Sequence, residues 1–198
     1  MCFVLNLTQL PEVDMSKRLL KTFFILFAVL CSHANAQSAP HDHGNADRLY
    51  AEGRFSDALA AYERLLATPS GKAGSGDIHS RIGDCYFRLH NYQRALSAYR
   101  SALQNQKYSE RPPTQYWIGF CSFLLGNDKE AVSEFLKIPE HYPSSGMWVG
   151  TAYYWAGRAS ERMGDKAAAA EYYRKAGGKG KSTQERFAMK KAEAVKSK

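Results

Sequence analysis

Residues 79–102 read HSRIGDCYFRLHNYQRALSAYRSA, and their pattern is that of two helices joined by a tight turn. Ile78, Ile82, Cys85, Tyr86 and Leu89 recur at steps of three and four, which places them on one helical face. Gly83 sits inside that helix, where it costs about 1 kcal/mol relative to Ala, so it needs a packing reason. A missing side chain lets a neighbouring helix approach, and small Ala95 followed by Tyr99 four residues later is suited to fill the space. His90-Asn91 marks the turn, a residue tolerant of the left-handed conformation followed by an N-cap. So short a connection makes the two helices an antiparallel hairpin.

The same pattern returns along the chain. Gly119 and Gly157 follow Gly83 at spacings of 36 and 38 residues. Each opens a copy: Ile118-Gly119 leads to Gly126, Ala131 and Phe135, and Ala156-Gly157 leads to Gly164, Ala169 and Tyr173. A degenerate copy with a short polar first half precedes them, carrying Gly53, Ala58 and Tyr62. Gly83, Gly119, Gly157, Ala95, Ala131, Ala169, Tyr99, Phe135 and Tyr173 are therefore the expected repeat-packing residues. A unit that buries its apolar face only against its neighbours must be stacked, so the expectation is an all-α array of about four helix hairpins.

These copies resemble the tetratricopeptide repeat in spacing and largely in residue type. No copy has the family's first-position Trp, and Ser122 and Ser160 stand where it has Tyr. The resemblance implies a right-handed superhelical solenoid whose first helices line a concave groove. Projected through the aligned glycines, the groove residues are Asp84, Phe87 and Arg88, then Tyr116, Phe120, Phe123 and Leu124, then Tyr154, Arg158 and Arg162. Aromatic anchors beside Arg forks suit a peptide with apolar side chains and a carboxylate. The implied function is a non-enzymatic scaffold or adaptor with a protein or peptide partner.

Ahead of the repeats, Lys17, Arg18 and Lys21 precede the apolar run Thr22–Cys31, and Ala34-Asn35-Ala36 follows it. A charged region, a short apolar region and a small-x-small site in that order read as a signal peptide over residues 1–36, cleaved after Ala36, with Met15 the better start. The run is half the roughly 20 residues that a membrane-spanning helix needs, so no permanent anchor is expected. Lipidation at Cys31 is the weaker alternative, because bulky Leu30 precedes it. The expected organisation is a flexible segment 37–44, a repeat domain 45–178 and a basic helix or tail 179–198, in a periplasmic or secreted protein. A secreted array of this size is also similar to the repeat portion of the envelope protein that works with the bacterial Tol-Pal system.

Charge is uneven: residues 37–165 hold 14 basic and 14 acidic side chains, residues 166–198 hold 10 and 3. That asymmetry supports an alternative function, an electrostatic surface binder whose basic tail docks on anionic lipid or glycan while the repeats act as a spacer. Nucleic acid is not an expected partner. His41-Asp42-His43 is an incomplete metal site, and no metal or cofactor is expected. Cys85 and Cys121 occupy equivalent places in successive units, read as small buried residues rather than a bridge. No nucleophile elbow, zinc-protease helix or phosphate loop is present, and Gly177–Lys181 reads as a helix cap and linker, so no enzyme is expected.

Overall fold

The computed structural model describes residues 39–178, 180 and 182–196. The expected signal peptide lies outside the described residues, as do Lys179, Lys181 and Lys198 of the basic tail. Among the described residues there are ten α-helices and no strand. They are α1 Ala39–Ala51, α2 Phe55–Leu66, α3 Pro69–Ala73, α4 Ser75–Arg88, α5 Tyr92–Asn105, α6 Arg111–Leu124, α7 Asp128–His141, α8 Met147–Arg162, α9 Lys166–Gly177 and α10 Thr183–Lys196. Four hairpins, α1/α2, α4/α5, α6/α7 and α8/α9, stack in a right-handed superhelical array, and α10 packs on the last of them. The segment 37–44, expected to be flexible, overlaps α1, which opens at Ala39.

The four hairpin turns are the same turn. Gly53, His90, Gly126 and Gly164 have φ of 78°, 58°, 81° and 80°, and the residue after each returns its N–H to the carbonyl five residues back. This Schellman-type closure satisfies carbonyls that the helix end would orphan. His90 is the one non-glycine residue with positive φ among those described, and its Nδ1 lies 2.9 Å from the Tyr92 hydroxyl. The Asn91 and Asp165 side chains then cap the second helices, accepting from Arg94 N–H (3.2 Å) and Ala168 N–H (3.0 Å).

Inside each hairpin the glycine meets a ring. A Cβ on Gly83 would lie 2.6 Å from Tyr99, one on Gly119 2.8 Å from Phe135, and one on Gly157 2.8 Å from Tyr173, all shorter than a carbon–carbon contact permits. Ala95, Ala131 and Ala169, one turn before those rings, are fully buried. The core is accordingly a series of clusters between neighbouring helices rather than a single centre. The Ser122 and Ser160 hydroxyls, also fully buried, find no hydrogen-bond partner among the described residues, a cost of about 1–3 kcal/mol each.

The basic segment is not a free tail. Ala188, Ala192 and Val195, spaced along one face of α10, are buried, and the last two pack with Ala169, Tyr173 and Tyr154. Lys191 bonds Glu161 of α8 at 3.3 Å, while Arg186 and Lys190 face outward. A helix that spends one face closing the array leaves the surface-docking alternative not favoured, and its charges read as the solvated side of a cap.

Candidate functional site

Aromatic rings run continuously across the first helices of the hairpins. Phe87 of α4 lies 4.9 Å from Trp117 and 6.0 Å from Phe120 of α6. Phe120 then contacts Trp155 of α8 edge-on at 4.7 Å, and Tyr154 reaches Phe187 of α10 at 6.2 Å. Tyr116 stacks on Phe120 at 5.8 Å and meets Trp148 at 5.5 Å. Phe87, Tyr116, Phe120, Tyr154 and Trp155 are all half-buried, so each packs on one side and keeps the other open.

The position after each repeat glycine shows how the hairpins differ. The 37-residue offset from Tyr62 to Tyr99 carries Ala46 onto Gly83 and Asp47 onto Asp84. Tyr62 donates its hydroxyl to Asp47, and Tyr99 donates to Asp84 at 2.8 Å. In the third hairpin the ring is Phe135, which has no hydroxyl to donate, and Phe120 replaces the acid. In the fourth, Arg158 takes the position and Tyr173 donates instead to Glu161 at 2.6 Å. That hydrogen bond, with Lys191, holds the Glu161 carboxyl below its usual range, whereas burial pushes Asp84 above it.

Three residues expected in the groove also make contacts within the array. Asp84 is only 23% exposed and is held by Tyr99. Phe123 is 9% exposed, because the Arg162 guanidinium lies 3.8 Å above its ring. Arg162 itself clamps Asp128 of α7, with Nε 2.7 Å from both carboxylate oxygens, and bonds the Phe123 carbonyl. Leu124 and Arg88 are exposed, the latter with its guanidinium 4.7 Å over Phe55. Phe87, Tyr116, Phe120, Tyr154 and Arg158 stay together on one face. The sequence reading omitted Trp117 and Trp155, which join the rings, and Phe187, which extends them onto α10.

At the end of this face a cleft of about 740 Å³ opens between α8 and α10. Its walls include Met147, Gly150, Tyr154 and Trp155 on one side and Phe187 and Ala188 on the other. Arg158, one helical turn beyond Tyr154 of this wall, holds its guanidinium 5.7 Å over the Trp155 ring. No group of three or more His, Cys, Asp or Glu side chains able to hold a metal occurs among the described residues, and no described helix is long and apolar enough to cross a membrane.

Cys85 and Cys121 are free and fully buried. Burial pushes both thiols from an ordinary 9.0 up to about 12, and raises Tyr116 from 10.0 to about 12. In the unfolded chain these groups lose protons earlier than in the folded one. Their contribution is therefore whole below pH 9 and is lost as pH rises to about 12. The urea midpoint should fall across that window, and in native protein at pH 8 Cys85 and Cys121 should resist thiol reagents until it unfolds; fast labelling at those two positions, read by peptide mass spectrometry, would contradict the burial.

The fold and its turns belong to a known class. Three models described as tetratricopeptide repeat match residues 43–112, 114–145 and 150–176, so the chain is a tetratricopeptide repeat protein. Such proteins are protein-interaction scaffolds, typically without enzymatic activity. A crystal structure of MamA protein matches with TM-score 0.64 at 17% identity, covering 81% of this chain and 84% of that one. A tetratricopeptide repeat protein from Parabacteroides merdae matches with TM-score 0.69 at 16% identity, covering 82% and 61%. These likenesses show the fold alone. The general transcriptional corepressor ssn6 of Schizosaccharomyces pombe is 31% identical over 84 residues, 42% of this chain but 7% of that protein.

Proposed function

We propose that the protein is an adaptor of the bacterial cell envelope that binds a peptide segment of a partner along the face of its first helices. The observation that carries this reading is the line of half-buried rings from Phe87 through Phe120 to Trp155 and Tyr154, reaching exposed Phe187, which leaves apolar surface open across α4, α6, α8 and α10. Bulky rings held in place by neighbours lose little entropy on binding, which suits them to anchor a partner. The envelope location rests on the export pattern of residues 1–36, and the likeness to the Tol-Pal-associated protein stays part of the proposal.

Phe120→Ala should weaken capture of peptides from an envelope-protein peptide array by about thirtyfold, the loss typical of a central anchor. Gln104→Ala and Arg174→Ala, on exposed positions of second helices, should leave it unchanged. Equal losses from both sets, with circular dichroism unchanged, would overturn the reading.

A further inference from the structure

We propose that the cleft between α8 and α10 takes an internal peptide segment in which a bulky apolar side chain is followed by an acidic one, the first entering the cleft and the second meeting Arg158. This rests on the peptide-binding reading above and gives it a specificity. The apolar half follows from uncovered surface. Met147 is 72% exposed and Phe187 52%, on opposite walls, and Gly146 and Gly150 project no side chain into the space between them. Exposed large apolar groups facing one another across a cavity are what a buried apolar anchor covers.

The acidic half follows from Arg158. It occupies the register position that holds Asp47 and Asp84 in the first two hairpins, and among the described residues no carboxylate closes an ion pair with it. Glu161 lies close enough to act on the Arg158 charge but is bonded to Tyr173 and Lys191, and Glu185, on the cleft wall, accepts from the Ser182 N–H at 3.4 Å to cap α10. Trp155 lines the cleft, and the Arg158 guanidinium over its ring offers a fork that suits a carboxylate. Among the described side chains of α9 and α10, six cations (Lys166, Arg174, Lys175, Arg186, Lys190 and Lys191) outnumber three acids (Glu171, Glu185 and Glu193), so an acidic ligand is also favoured at longer range. The ring line continues past Arg158 to Phe187. A chain covering it extends to both sides of the guanidinium, which makes the acid a side chain rather than a terminus.

The test uses the full chain and synthetic peptides, acetylated and amidated so that no terminal charge remains. Each carries one Leu, Phe or Trp and one Glu, Gln or Lys, at every spacing from adjacent to one helical turn away. Binding is read by fluorescence anisotropy. The wild type should bind the best Glu peptide about tenfold more tightly than its Gln counterpart. Arg158→Gln should erase that preference, Arg158→Glu should transfer it to the Lys peptide, and Phe187→Ala should weaken all three alike. Equal binding of Glu and Gln peptides, a preference that survives Arg158→Gln, or one that needs a free terminal carboxylate would overturn the proposal and leave groove binding standing. Failure of every apolar peptide to bind would overturn both.

Discussion

Phe135→Ala should lower the stability of the array by about 3–5 kcal/mol, the usual result of deleting a buried ring that the surroundings cannot refill. Phe135 is fully buried, and its ring lies against Gly119, where even a methyl group would come within 2.8 Å. Gly119→Ala alone should therefore cost about 1–3 kcal/mol through overpacking, although Ala is the better helix former. In the Phe135→Ala background the same methyl enters vacated space, and Gly119→Ala should become neutral or stabilising by up to about 1 kcal/mol. Urea denaturation of the four proteins gives the coupling directly. Additive losses would mean that glycine and ring do not share one site.

Truncation before Ser182 should be nearly as damaging, by about 3–5 kcal/mol, because it uncovers the surface that Ala192 and Val195 cover against Tyr173 and Ala169. Neutralising the outward charges with Arg186→Gln and Lys190→Gln should leave the melting temperature within a degree or two, as exposed changes usually do. A truncated protein that melts like the full chain would show that α10 is an appendage after all, and would reopen the surface-docking role of the basic segment.

The parts of this molecule that repeat were legible in the sequence, because local physics imposes them at a fixed period. A left-handed turn needs Gly or a tolerant residue such as His90, and a ring at Tyr99 needs an absent side chain at Gly83; both recur where one helix pair follows another. The groove residues were only half legible. Projection through the glycines brought Phe87, Tyr116, Phe120, Tyr154 and Arg158 to one face, but it did not foresee that Arg162 reaches Asp128, 34 residues away, and shields Phe123. Such partners come from different units and follow no period. The cleft is not legible in the repeats because half of it belongs to α10, which follows no repeat period and docks through the Ala188, Ala192, Val195 spacing.

The most direct test of peptide binding along the first helices is photo-crosslinking with a benzophenone amino acid placed singly at Phe120, Tyr154, Gln104 or Arg174 in the full chain, with envelope peptides as the pool and mass spectrometry as the readout. Binding to the ring face predicts that positions 120 and 154 capture the same peptides, enriched in bulky apolar residues, while positions 104 and 174 on the second helices capture little. Equal or stronger capture at 104 and 174 would contradict it.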